Sequence, residues 1–287
     1  MKARKLLAFF VAGVMGLSLA LTGCGGTAPT EPTEGSPTAG VKYLILDEVI
    51  DLEQYGVGFR MEDTTLRDIV EFTIVEMYND GTVQGIAAKY ADLGISYDAF
   101  ILTATDVKER PTWDRDMLYV GFDQNFPPYG FVDNNGDFAG FDLDMAAEVA
   151  ARNGWEITLV PINWDFKDAE LAAGNIDCIW NGFTITEDRK KEYLFTKPYM
   201  DNSQVMVVLA DSGISTLADL DGKVVMAQAA SAAYEVLTSD HAELVSSFKE
   251  LRTIPDYNSA FLELNQGSVD AIAIDLPVAV FQMAANS

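Results

Sequence analysis

The sequence predicts an α/β protein built on mostly parallel sheets. Two observations carry this expectation. From residue 118 onward, short β-branched apolar runs alternate with amphipathic helices, the pattern of strands buried on both faces between crossover helices. In addition, one junction occurs twice: Leu171, Gly174, Asp177 and Ile179 have the spacing of Leu264, Gly267, Asp270 and Ile272. Each set reads as a helix end, a glycine suited to the left-handed cap and a sheet strand. The echo reads equally as a junction common to α/β folds or as two lobes of similar design.

The folded part is expected to begin at Val41, where Tyr43, Leu44, Ile45 and Leu46 predict a strand. Leu66, Ile69, Val70, Thr73, Ile74 and Met77 recur at helical spacing, with Asp63 or Thr64 to cap the start and Gly81 to stop it. A second short helix starts at Thr82, with Val83, Ile86, Ala87 and Tyr90 on one face. Residues 91–116 form a connection of uncommon length for a compact domain. Tyr97, Phe100, Ile101, Leu102 and Trp113 predict that part of it packs. Strands follow over 118–122, 157–160, 176–180, 205–209, 224–227 and 271–274. Helices fall over 143–153, ended by Gly154, over 167–173, ended by Gly174, and between the later strands.

Ahead of this part, Lys2, Arg4 and Lys5 precede an uncharged apolar run over 6–21 that ends in Leu21, Thr22, Gly23 and Cys24. A basic head, a short apolar run and small residues before a cut site make an export signal, and the run is short for a membrane span. Residues 1–23 are therefore expected to be removed; an uncleaved N-terminal anchor is the alternative, and either holds the protein outside at a membrane. Residues 24–40, including GGTAPTEPTEGSPTAG, predict a flexible tether, because small, polar, Pro-rich sequence cannot bury enough apolar area to offset its ordering entropy.

The net charge of −25 argues against nucleic acid and anionic lipid headgroups as partners. With Cys24 set aside only Cys178 remains, so no intramolecular disulfide is expected. One His and two Cys leave no transition-metal constellation, and no cofactor is expected. There is no Ser-His-Asp set and no phosphate loop; His241, in the polar stretch 239–243, is expected to be solvated. No apolar run after Leu21 approaches the length of a membrane span, which disfavours a receptor lobe.

Three blocks point to a family. The first runs from Asp123 through Phe126, Tyr129, Gly136 and Gly140 to Phe141, Asp142 and Asp144. The second comprises 181–189 and 195–199, and the third runs from Leu217 through Leu220, Gly222 and Lys223 to Val225. In this order they resemble the polar amino-acid solute-binding proteins of ABC importers, and Leu21 to Cys24 resembles a bacterial lipobox whose cysteine is lipidated. The resemblance implies a type II periplasmic-binding-protein-like fold: two lobes, each a mostly parallel sheet flanked by helices, with the ligand cleft between them. It also implies that the segment holding Glu53, Tyr55, Phe59, Leu66 and Asp80 stands ahead of residues it follows in the family. A circular permutation is the simplest account, since neighbouring termini make it cheap; a truncated second copy is the alternative. Lobe 1 is then 57–203, with 91–116 joining the old ends, and lobe 2 is 41–56 plus 204–287. The hinge is crossed near 55–59 and 202–205.

The site residues follow from the resemblance. Arg189 aligns with the carboxylate clamp, whose fork geometry suits two charge-assisted bonds, although it also lies in the charged run 187–191. Thr184 and Gly182 align with positions offering hydroxyl and backbone groups, with Asn181 beside them. Asp275 aligns with the ammonium acceptor, at the carboxyl end of a strand where open sheets bind ligands, and it also suits a helix N-cap. Ser231 aligns with a hydroxyl residue at a helix N-terminus, in a loop that departs from the family's Gly-Ser/Thr-Thr pattern. Phe126 aligns with an aromatic that covers the ligand and Trp164 with a wall position, while Asp123 is a candidate for a polar or cationic ligand side chain. The implied partners are an amino acid, the permease subunits of an ABC importer and the membrane through the lipid anchor, for a monomer without catalytic residues. A cyclohexadienyl dehydratase of the same fold is the enzymatic alternative, with a carboxylate as its general acid.

Overall fold

A computed structural model describes residues 42–101, 107 and 109–287. The export segment, Cys24, the tether, Val41 and Leu102 lie outside the described residues. The chain enters through β1 (Tyr43–Ile45), β2 (Asp51–Tyr55) and β3 (Gly58–Phe59) and continues into α1 (Thr64–Asn79) and α2 (Thr82–Lys89). The periodic face of α1 is buried as expected, from Leu66 to Met77. Asp63 stands at its N-cap position but does not cap it, because the carboxylate pairs with Arg60 at 2.7 Å.

After the long connection come β4 (Met117–Phe122), a small three-stranded sheet of β5 (Asn125–Phe126), β6 (Gly130–Val132) and β7 (Phe138–Ala139), and α3 (Phe141–Asn153). Next are β8 (Glu156–Pro161), α4 (Lys167–Ala173), β9 (Cys178–Ile179), β10 (Leu194–Phe195) and the long β11 (Met200–Leu209). The chain closes with β12 (Val224–Gln228), α5 (Ala232–Ser239), α6 (Ala242–Ser247), β13 (Glu250–Ile254), α7 (Tyr257–Gln266), β14 (Ala271–Asp275) and α8 (Leu276–Ala285).

Two larger sheets result. One has the order β10-β3-β9-β4-β8 and the other β1-β11-β14-β12-β13, with β2 on the first half of β11. They are mixed rather than mostly parallel. The parallel core of each is present, β4 with β8 and β9, and β12 with β13 and β14. The antiparallel pairs are those of β1, β2, β3 and the crossing strand β11.

The repeated junction occupies equivalent places in the two sheets. Asp177 N–H donates to the Tyr119 carbonyl at 2.8 Å while its carboxylate accepts from Tyr119 N–H at 3.0 Å. Asp270 does the same with Val224, at 2.8 Å in both directions. Each aspartate thus locks its strand in register with its parallel neighbour, three residues after a glycine in the left-handed region, Gly174 or Gly267.

Tyr55 to Asp51 pair with Met200 to Gln204, so β2 and β11 form an antiparallel ribbon between the sheets. Both expected hinge crossings fall in or beside it. The described part of 91–116 packs here: Tyr97 stacks between Tyr78 and Phe100, and Phe100 forms a β-bridge with Met200. Trp113 meets Trp155 edge-on at 5.0 Å. The two ends of the described chain are neighbours, with Lys42 Nζ donating to the Asn286 carbonyl at 2.7 Å. His241 is half-buried rather than solvated, its Nε2 2.9 Å from the Ile50 carbonyl.

Candidate ligand-binding site

A cavity lies between the two larger sheets. Phe126, Trp164, Asn181, Gly182, Thr184 and Arg189 form one wall, and Gln228, Ser231, Ala232 and Asp275 the other. Eight of the nine candidate residues are thus brought together; Asp123 stands behind the wall.

The first wall is built on the segment after β9. Asp142, wholly buried at the start of α3, accepts from Gly182 N–H at 2.6 Å and from the Tyr199 hydroxyl at 2.9 Å. Burial pushes its carboxyl up to about 7, opposed by these two bonds. The Gly182 N–H is therefore committed to Asp142 and is not offered to a ligand, contrary to expectation. What Gly182 contributes is space: at φ +56 it lies where a Cβ would meet the Phe126 ring at 3.0 Å. Asn181 Oδ1 accepts from Asp123 N–H at 2.8 Å, whereas its buried Nδ2 has no partner among the described residues.

Arg189 is buried over the Phe183 ring, 4.9 Å from its centroid. Nη1 donates to the Thr184 carbonyl at 3.1 Å; Nη2 reaches the Ala230 carbonyl at 3.4 Å and Glu235 at 2.8 Å on the facing wall. Of the five N–H groups of a guanidinium, these bonds leave Nε–H and one Nη1–H. The Ala230 carbonyl also accepts from Trp164 Nε1 at 3.2 Å and Lys167 Nζ at 3.4 Å. One carbonyl of the second wall thus gathers three donors from the first. Ala230 has φ +54, the conformation glycine would adopt without strain, which is the physical content of the departure seen in this loop. Ser231 caps α5 through its hydroxyl, which accepts from Tyr234 N–H.

Asp275 stands at the N-cap position of α8, but its side chain does not cap the helix. Oδ1 instead accepts from the Tyr55 hydroxyl and, at 2.8 Å each, from Asn202 Nδ2 and Gln204 Nε2. The same two amides donate to Glu53 Oε1, at 2.6 and 2.9 Å. Burial pushes both carboxyls up, and the charge of Asp275 adds to the effect on Glu53.

Asp123 accepts from Asn125 N–H at 2.8 Å and from Gln228 Nε2 at 2.6 Å. Burial pushes its carboxyl up to about 6. Gln228 stands between it and the cavity, so the wall residue is one the sequence did not single out. Phe126 stacks on Tyr129 at 5.8 Å and leans on Tyr257 across the cleft at 6.1 Å. Trp164 meets Phe183 edge-on at 5.6 Å. Sequence reasoning also missed Glu53, Tyr55, Asn202 and Gln204; the only signal was polar residues at inward positions of β2 and β11. Among the described residues no group of three or more His, Cys, Asp or Glu side chains is arranged to hold a metal, and no helix is long and apolar enough to cross a membrane.

With this geometry in place, residues 118–274 match the model of the bacterial extracellular solute-binding proteins, family 3. The L-cystine-binding protein TcyJ of Escherichia coli is 33% identical over 196 residues, 67% of this chain and 67% of its own length. An ABC uptake transporter substrate-binding protein from Streptococcus pneumoniae, solved with bound histidine, superposes with a TM-score of 0.58 at 36% identity, covering 60% of this chain and 70% of that one. An ancestral amino-acid-binding protein, a precursor of cyclohexadienyl dehydratase, superposes at 0.55 with 31% identity, covering 60% and 75%.

Proposed function

This chain belongs to the bacterial extracellular solute-binding proteins of family 3, and on that premise we propose that it captures a free polar amino acid outside the cytoplasm for an ABC importer. One observation carries the reading: the same cavity has a guanidinium on one wall and a buried carboxylate on the other. That arrangement complements a zwitterion. Arg189 takes the carboxylate, with Thr184 and the N-terminus of α5 at Ser231 beside it. Asp275 takes the ammonium, and Asn181 Nδ2, which has no partner among the described residues, supplies a further donor. Phe126 and Trp164 cover the ligand, and Gln228, backed by Asp123, meets its polar side chain. The names of the relatives, which bind cystine and histidine, support a polar ligand.

A thermal-shift screen of residues 24–287 against the standard amino acids tests this. A ligand at a hundred times its dissociation constant adds about 2.7 kcal/mol of apparent stability, so one or a few amino acids should raise the midpoint clearly. No shift with any of them would remove the reading. We read the chain as a monomeric binding protein held to the membrane through lipidated Cys24, working with permease subunits and not as an enzyme. The kinship with a dehydratase precursor, together with buried carboxyls in the cleft, favours one rival, and turnover of prephenate or arogenate by the purified protein would establish it.

We also read residues 44–90 as the family's C-terminal segment moved to the front. The family match begins at 118, yet β1 and β2 extend one sheet and β3 completes the other. Helix α1 packs on α3 and β10, and the ends of the described chain touch. Lobe 1 is then 57–203 and lobe 2 is 41–56 plus 204–287. A chain opened within 91–116 and closed by a short linker from Ser287 to Val41 should fold and bind the same ligand within about threefold. The contacts are kept, and loop-closure entropy changes slowly with length. Failure to fold, or loss of binding, would overturn the permutation.

A further inference from the structure

Glu53 lies behind Asp275, yet it shares with it every side-chain amide that either carboxylate uses. Asn202 Nδ2 and Gln204 Nε2 each donate to both Glu53 Oε1 and Asp275 Oδ1. The two acids are 8% and 4% exposed, and among the described residues no Lys or Arg pairs with either. The other ionisable groups facing them are the phenols of Tyr55, Tyr129 and Tyr257, each held neutral, first of all by burial. Two buried carboxylates close together with no counter-cation cannot both ionise cheaply. Such a pair keeps one proton until a cation arrives.

We propose that Glu53 and Asp275 together form the ammonium site, holding one proton in common while the cleft has no cation and releasing it to solvent when a ligand ammonium enters. This rests on the amino-acid reading above. The step balances: a singly protonated pair and an alkylammonium become a doubly ionised pair holding that ammonium, plus one free proton. Glu53 is a positioning residue, acting through Asp275. The sign follows from linkage. The proton is bound in the empty form and lost in the filled one, so affinity rises with pH while the empty pair keeps its proton, and levels off above that.

Calorimetry at neutral pH in phosphate and in Tris, buffers of different ionisation enthalpy, reads the released proton directly. The probe is L-arginine, or the tightest-binding standard amino acid from the screen. Wild type should release about one proton per ligand, and its affinity should rise by up to about tenfold per pH unit below the plateau. Asp123 and Asp142 also titrate near this range, so Glu53→Gln assigns the source. That variant should still bind within about tenfold, with proton release close to zero. In wild type carrying ¹³C-labelled glutamate carboxyls, one resonance should move from the protonated to the ionised position on saturation, a readout independent of how the variant folds. Wild-type binding without proton release, undiminished release in Glu53→Gln, or no moving glutamate resonance would each overturn the proposal while leaving amino-acid binding intact. Absence of binding by every amino acid would overturn both.

Discussion

Replacing Arg189 by alanine should weaken amino-acid binding by about 10²–10⁴-fold while the protein stays folded. Among the described residues the guanidinium is the one cation on the wall of the cavity, and each charge-assisted bond to a ligand carboxylate is worth about 1.5–3 kcal/mol. Two such bonds are available, from the Nε–H and Nη1–H that the protein leaves open. The fold tolerates the loss because the acid left behind, Glu235, has 41% of its side chain exposed and can be solvated. The ring of Phe183 loses a cover but keeps Trp164, Tyr193 and Phe195 around it. Calorimetry on the variant, with its circular dichroism compared with wild type, checks both halves. Near-wild-type affinity would remove Arg189 from the site.

Gly140→Ala should cost about 3–5 kcal/mol of stability, among the largest losses a single methyl group can cause. Gly140 has φ +146, and a Cβ there would stand 2.1 Å from the Tyr129 carbonyl oxygen and 2.8 Å from Gly130 N. Both are backbone atoms, so no side chain can swing aside. The following N–H groups are what hold this approach: Phe141 donates to the Pro128 carbonyl at 2.9 Å and Asp142 to that of Tyr129 at 3.2 Å. They set the first turn of α3 and place Asp142 on Gly182 N–H. A urea titration should show a markedly lower midpoint, with ligand affinity reduced as well; a loss under about 1 kcal/mol would mean the loop moves freely.

Helices were the most legible part of the sequence. The face of α1 and the limits of α4 follow from apolar spacing and from the glycine after the helix. Strand β2 was not legible. Glu53 and Tyr55 are the inward positions of β2, so a carboxylate stands where alternation would require an apolar residue, and the period of two disappears. The partners that make this tolerable, Asn202 and Gln204, are 149 and 151 residues from Glu53, and no local pattern spans that distance. Arg189 and Asp275 were legible through the blocks around them. Their companions Gln228 and Glu53 were not, because each acquires its role only from the opposite side of the cleft or the far end of the chain.

The early strands also impose an order on synthesis. Tyr43, Tyr55, Val57 and Phe59 are at most 1% exposed in the finished fold, and each is covered by residues made much later. Val57 N–H bonds to the Thr196 hydroxyl 139 residues downstream, and β1 pairs with Val207 to Leu209. A nascent chain that has reached Phe195 therefore still lacks the strand on which β1 and β2 pair. Contacts of such long separation make folding slow and leave unpaired strand edges open to the wrong partner. Strands β1 and β2, the first to leave the ribosome, stay unpaired until β11 has been made.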